Sequence, residues 1–408
     1  MKAYLNTQIH INKFACFRYM AASLLFCIGL LGAPFHFVDD VSKEAKWNFI
    51  ASARAQALPG KRSPQWYGVI EIGSKGVKGH VFDLDRVRSN QACKVNPEIY
   101  RKCLAPKTIL TLDASAVDRA QIEETVRAAS DIKRVMFSSS EYRIDSERLY
   151  VVGSSGVAKV DHKLDLTNKL NSDLGLSGNH KVDFVSDEEE PQYAFKGIMG
   201  MLPAKYQLER QSQAMVVDFG SGNTKGSYKN LERPDKPVES FSIPWGTRKA
   251  TQYINDNRGD IEFSEYSEKF RQGVLVPLMR REFTNKTYAS TRPRIYLVGG
   301  IVWAVSNLSQ PRSVASFPPM TLNDIESIYA RAVSKNGFAD LCVNNPDLEI
   351  NKEIARVCSI FPNEQLIAGL QLLRTFAREM KFDQKSVFFF RDSQYAWPLG
   401  YLENKVGG

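Results

Sequence analysis

The chain has 408 residues, 43% apolar and 24% charged, an ordinary globular balance with length for two or three domains. Its net charge of +9 favours acidic partners: nucleic acid, anionic lipid or polyphosphate. No Lys/Arg-rich run stands beside interleaved aromatics, which argues against nucleic acid, and five scattered His with no Cys-x-x-Cys argue against zinc.

At the amino terminus Lys2, Lys13 and Arg18 precede an apolar segment, residues 21–33, and then Asp39 and Asp40. Thirteen residues suit the core of an export signal better than a membrane span, which needs about 20. The expectation is an exported bacterial protein, periplasmic or membrane-anchored. The best small-residue cleavage site is Ala55-Gln56-Ala57. An uncleaved anchor running through Pro34 to Val38 is the alternative, and a domain facing the cytosol would then be cytoplasmic. Residues 39–64 end in Pro59-Gly60-Lys61-Arg62-Ser63-Pro64 and read as a linker.

Residues 66–84 predict a strand, a glycine-rich turn and a second strand. Cys93 with Cys103, and Cys342 with Cys358, form two close-spaced pairs. They predict two small disulfide loops in an oxidising compartment, with four buried thiols as the alternative. Residues 116–138 carry apolar spacing suited to a helix. A buried strand from Leu149 enters the small-residue loop Gly153-Ser154-Ser155-Gly156, and a helix with Leu164, Leu166, Leu170 and Leu174 on its apolar face follows. Residues 182–185 predict a strand, and Asp187 an N-cap for a helix over 188–201 with Pro191 in its first turn. A second hairpin spans 215–228, and strands are predicted at 239–243 and 294–299. Residues 322–408 read as largely helical, with 366–380 the clearest amphipathic run. Alternating strands and helices predict an α/β protein.

The two hairpins carry the chemistry. The first reads Gly68-Val-Ile-Glu71-Ile-Gly73-Ser74-Lys75-Gly76, and the second Met215-Val-Val-Asp218-Phe-Gly220-Ser221-Gly222-Asn223-Thr224-Lys225. In each, a buried strand delivers a carboxylate into a glycine-rich turn. Such a turn lets backbone N–H groups approach an anion while the carboxylate orients a cation or a water. Two of them suggest two lobes closing on one polyphosphate.

Five loops in one order resemble the exopolyphosphatase/guanosine pentaphosphatase (Ppx/GppA) family of the actin-like ATPase superfamily. They are Glu71-Ile-Gly-Ser, Gly153-Ser-Ser-Gly, Ser186-Asp-Glu-Glu-Glu190, Asp218-Phe-Gly-Ser-Gly-Asn-Thr and Val298-Gly-Gly-Ile. Ser242-Ile-Pro-Trp-Gly-Thr-Arg, Phe361-Pro-Asn-Glu-Gln-Leu-Ile-Ala-Gly-Leu and Pro398-Leu-Gly-Tyr-Leu extend the likeness over about residues 66–402. The resemblance implies two ribonuclease-H-like (actin-like ATPase) lobes with a cleft between them. The expected division is a signal or anchor segment with linker at 1–57, a first lobe at 58–200 and a second at 201–408. It also implies release of terminal phosphate from inorganic polyphosphate or guanosine pentaphosphate, assisted by Mg2+ or another divalent cation, and a possible homodimer.

Residue by residue, the resemblance makes Glu190 the group that orients or deprotonates the attacking water. Gly73, Ser74 and Lys75, with Gly220, Ser221, Gly222, Asn223, Thr224 and Lys225, would cradle phosphate, and Glu71 and Asp218 would hold the metal. Glu188 and Glu189 adjoin Glu190, and three such charges sharing a pocket would raise one another's pKa. Gly299 and Gly300 serve either close approach of substrate or helix–strand packing. Four positions depart from the family pattern: Glu71 replaces aspartate, Lys75 asparagine, Lys225 a glutamate, and Ala158 an arginine, with Lys159 beside it. Two readings follow: a hydrolase in which Lys75 and Lys225 contact phosphate and partly substitute for metal charge, or a non-catalytic polyphosphate- or nucleotide-binding protein with a degraded metal site. A kinase or chaperone-like ATPase of the superfamily fits the Ser186–Glu190 segment less well.

Overall fold

Each glycine-rich loop ends a β-hairpin, and each hairpin forms the middle of a five-stranded sheet. The computed structural model describes residues 66–74, 76–89, 103–202, 211–233, 238–335, 337–343, 345–347 and 351–407, without the side chains of Arg88 and Ser89. The expected export signal, anchor and linker, together with Lys75 and Cys93, lie outside the described residues. No helix among the described residues is long and apolar enough to cross a membrane.

The first sheet contains β1 (Tyr67–Ile72), β2 (Val77–Phe82), β3 (Lys107–Leu112), β4 (Leu149–Gly153) and β5 (Asp183–Phe184), in the order β3-β2-β1-β4-β5. The second contains β6 (Ala214–Phe219), β7 (Thr224–Lys229), β8 (Val238–Ile243), β9 (Arg294–Gly299) and β10 (Ser386–Phe389), in the order β10-β9-β6-β7-β8. Read from its other edge, the second sheet repeats the first: an antiparallel three-strand meander followed by two parallel strands. Both sheets are therefore mixed, and the described residues form an α/β fold with two sheets of matching topology. The shared register places Glu71 opposite Lys78 and Asp218 opposite Lys225.

Two strands escape the sequence pattern. β3 is an edge strand whose residues are only partly buried, so no apolar run marks it. β10 is four residues long and sits between helices, where an apolar quartet is indistinguishable from a helical turn. It interrupts a segment beyond residue 322 that is otherwise largely helical, as expected.

Six helices position the site. They are α1 (Ile122–Ser138), α2 (Glu189–Gly200), α3 (Thr247–Asn257), α4 (Gly300–Ser309), α5 (Asn363–Glu379) and α6 (Ala396–Gly407). The expected amphipathic stretch is α5, but it is buried on every side from Leu366 to Ala377. Its polar residues are satisfied internally: Gln371 Nε2 donates to Tyr329 Oη at 2.8 Å, and Arg374 Nε to Glu326 Oε2 at 2.8 Å. Cys342 and Cys358 form the expected disulfide, Cα–Cα 5.6 Å, and Cys103 is disulfide-bonded as well.

The start of α2 differs from the expected Asp187 cap. Ser186 Oγ accepts from the Glu189 N–H at 3.1 Å, and Glu189 Oε2 accepts from the Ser186 N–H at 2.8 Å. This is the reciprocal arrangement of a serine and a glutamate three residues on. Asp187 instead pairs with Lys159.

α2 and α6 cross at glycines. A methyl group on Gly197 would lie 2.0 Å from the Ala396 carbonyl oxygen, and one on Gly400 would lie 1.9 Å from that of Tyr193. Around this crossing a single buried cluster joins both sheets, with Val69, Phe82 and Val152 from the first and Val216, Tyr296 and Val298 from the second. Gly197→Ala and Gly400→Ala should each destabilise the fold by about 3 kcal/mol, the upper part of the range for overpacking, because backbone rather than a movable side chain stands in the way. Urea unfolding of the two variants checks this, and an unchanged midpoint would refute the close crossing.

Candidate active site

Both loops close by the same hydrogen bond. The Gly73 N–H donates to the Gly76 carbonyl at 2.9 Å, and the Gly220 N–H to the Asn223 carbonyl at 3.0 Å. These two amides are therefore committed to their turns. The N–H groups of Ser74, Ser221, Gly222 and Asn223 have no acceptor among the described residues. In the second loop their direction has a cause. The first amides of α3 donate to loop carbonyls: Thr247 to Gly220 at 3.1 Å, and Arg248 and Lys249 to Ser221 at 3.0 and 3.2 Å. A trans peptide points its N–H opposite to its C=O. With the Gly220 and Ser221 carbonyls drawn to α3, the amides of Ser221 and Gly222 face the other way. Gly246 permits this contact, since a methyl group there would sit 2.5 Å from the Gly220 oxygen. The Ser74 and Ser221 hydroxyl oxygens stand 3.5 Å apart, so the two loops face one another.

Other expected phosphate contacts are occupied by structure. The Thr224 hydroxyl is fully buried and donates to the Trp245 carbonyl at 2.9 Å, tying the loop to the turn after β8. Gly299 adopts φ +105°, and a methyl group there would lie 2.4 Å from the Phe219 oxygen. It serves packing of the β9–α4 corner against β6.

The two strand-end carboxylates differ in environment. Glu71 is buried, with Oε1 3.2 Å from Lys78 Nζ and Oε2 3.2 Å from His80 Nε2. Burial by itself would raise its pKa; the Lys78 ammonium and the His80 hydrogen bond outweigh burial and hold it at about 2. Burial pushes the His80 imidazole below its ordinary value. A neutral imidazole facing a carboxylate donates from Nε2, which leaves Nδ1 to accept from the Thr108 hydroxyl 3.1 Å away. Asp218, by contrast, has no hydrogen-bond or ion-pair partner among the described residues. Burial raises its pKa to about 6, with the Glu190 and Glu71 charges adding to the effect and Lys225 opposing it.

Of the three adjacent glutamates, Glu188 and Glu189 are exposed and only Glu190 is buried, so they share no pocket. Glu190 stands in the first turn of α2, whose carbonyl at Pro191 accepts from Ser227 Oγ of β7 at 2.5 Å. Its carboxylate is held at both oxygens. Oε2 accepts from the Ser155 N–H at 2.7 Å, and Oε1 lies 2.6 Å from Lys225 Nζ. Lys225 also donates to Ser155 Oγ at 3.0 Å, closing a three-membered network across the two lobes. Lys78, His80 and Ser155 were not singled out from sequence. The signal for Lys78 was available: it follows Glu71 by the interval that separates Lys225 from Asp218.

The donor set does not fit a resident divalent ion. Among the described residues no group of three or more His, Cys, Asp or Glu could hold one. Glu71 is taken up by Lys78 and His80, and Glu190 by Lys225 and Ser155, which leaves Asp218 alone. A hard cation needs several oxygen ligands at once.

No family model matches this chain, and no curated protein matches it in sequence. Solved structures do. The type II variant of the Aquifex aeolicus Ppx/GppA phosphatase aligns over 81% of this chain and 98% of its own, at 14% identity and TM-score 0.52. An exopolyphosphatase from Cytophaga hutchinsonii aligns over 84% of this chain and 98% of its own, at 15% identity and TM-score 0.52. The likeness expected from the order of the five loops is thus found as a likeness of fold.

Asp218 gives a pH signature. Its folded pKa lies above the ordinary value of 3.8, so the folded state holds a proton that the unfolded chain has lost. Its contribution is most favourable below pH 3.8 and declines as pH rises to about 6. Asp218→Asn should therefore gain stability over wild type progressively across that interval and keep the gain at pH 7. Paired denaturant titrations at pH 4, 5, 6 and 7 check it, and a pH-independent difference would refute the assignment.

Proposed function

We propose that this chain is a phosphoanhydride hydrolase releasing terminal phosphate from inorganic polyphosphate. The observation that carries the reading is the setting of Glu190: a buried carboxylate bonded to the Ser155 N–H, on a loop where a methyl group on Gly156 would lie 4.0 Å from Ser74 Cβ. The terminal phosphate is gripped by the amides of Ser74, Ser221, Gly222 and Asn223. Glu190 accepts a proton from water, the water oxygen bonds to the terminal phosphorus, and the bridging P–O bond breaks. The shortened chain leaves with that bridging oxygen. Binding at the loops supplies positioning, and the carboxylate supplies the base. Fold likeness to Ppx/GppA phosphatase and exopolyphosphatase structures supports the same substrate class. Guanosine pentaphosphate is the natural alternative for a domain facing the cytosol.

The test is phosphate release by the purified protein from polyphosphate, guanosine pentaphosphate and ATP, with and without magnesium. Glu190→Gln should lower release at least about 100-fold, the scale of a lost general base. Full activity in that variant would remove Glu190 from the mechanism. One observation favours the second reading, binding without turnover: both Glu190 oxygens are already engaged. Tight polyphosphate binding with no phosphate released under any metal would establish it.

Export belongs to the same proposal, and the bonded state of Cys103, Cys342 and Cys358 supports it. Protein from the native host, alkylated without reduction, should carry no label at Cys342 or Cys358 by mass spectrometry. Labelled thiols at both positions would count against an oxidising compartment.

A further inference from the structure

Lys78 and Lys225 occupy equivalent positions in the two hairpins, each opposite a strand-end carboxylate. They behave differently. Lys78 stays on its own hairpin, paired with Glu71, and its side chain is 36% exposed. Lys225 reaches out of its hairpin to the other lobe, into contact with Glu190 and Ser155, and its side chain is 6% exposed. An ammonium has three protons to donate. Glu190 and Ser155 take two, and no third acceptor lies among the described residues. A desolvated cation with donor capacity to spare therefore sits against the Ser154–Gly156 loop, where a methyl group on Gly156 would lie 4.0 Å from Ser74 Cβ.

We propose that Lys225 is the built-in cation of this site. Its ammonium binds the terminal phosphate directly, without a divalent ion, and in doing so lets go of Glu190 Oε1. Charge-assisted bonds to phosphate oxygens are strong enough to compete with the carboxylate for the same protons. Glu190 does not swing free when this happens, because Oε2 stays anchored on the Ser155 N–H. One oxygen is thereby exposed to water while the other fixes its direction. The cation that must neutralise substrate charge and the latch that masks the base are one side chain. The proposal takes the ligand class from the function proposed above, but it concerns binding and is tested apart from turnover.

The probe is tripolyphosphate, titrated calorimetrically into the full-length protein at fixed ionic strength, in EDTA and in magnesium. Wild type should bind equally, within twofold, in both. Glu190→Gln should bind several-fold tighter in EDTA, because it frees the ammonium. Lys225→Met combined with Glu190→Gln, which removes both charges and leaves no buried ion unpaired, should bind at least tenfold more weakly than Glu190→Gln alone. Thermal unfolding confirms that each variant is folded. Three results overturn the proposal: binding that requires magnesium, a double variant that binds as tightly as Glu190→Gln, or no binding under either condition. A Glu190→Gln affinity at or below wild type overturns the latch. Phosphate release is measured on the same samples. The expected binding pattern without release supports the built-in cation while refuting hydrolysis.

Discussion

The close crossing of α2 and α6 is the constraint on which the site depends. Gly197 and Gly400 let each helix rest against the other's backbone, where any side chain would force them apart. The paired helices supply the apolar surface on which both sheets pack. Because Glu190 lies in the first turn of α2, the packing that joins the two sheets also sets its carboxylate against the Ser155 N–H and Lys225. Ser227 adds a polar anchor by bonding the Pro191 carbonyl next to it.

The two sheets share one topology, and their hairpins differ in chemistry. Both hairpins pair a strand-end acid with a lysine in the same register. In the first, the pair is local and His80 completes it, so Glu71 is fixed as an anion. In the second, the lysine contacts Glu190 instead; Asp218 has no counter-charge in contact among the described residues, and burial raises its pKa. Each hairpin thus contributes a lysine that pairs with a buried glutamate. Breaking such a buried pair by removing one partner is costly, since the remaining charge is stranded in low dielectric. That is a physical reason for Lys225 and Glu190 to be considered as one unit.

Much of the site was legible because it depends on local order in the chain. A strand running into Gly-Ser predicts a tight turn wherever it occurs, and two such turns, each after an acid, predicted the two loops. What those loops present to a ligand was not legible. Gly73 and Gly220 use their own amides to close the turns, whereas those of Ser74, Ser221, Gly222 and Asn223 have no acceptor among the described residues. The orientation of the Ser221 and Gly222 amides comes from α3, and no local pattern near Ser221 announces a helix end arriving behind it. Thr224 shows the reverse case, a hydroxyl of suitable type for phosphate that is turned to the Trp245 carbonyl.

The sequence by itself determined the two hairpins, the alternation of strands and helices, the Cys342–Cys358 bridge and the identity of the acids. All follow from patterns within a few residues of one another: alternation, glycine punctuation and cysteine spacing. Tertiary structure alone decided which glutamate of three turns inward, that Ser155 and Lys225 grasp it, and that His80 stands behind Glu71. It also decided where the edge strands β3 and β10 join, since short or half-exposed strands are defined by their neighbours rather than their own composition. Electrostatic partnership depends on distance through space, and the chain brings residues 155, 190 and 225 together only by folding two sheets onto one pair of helices.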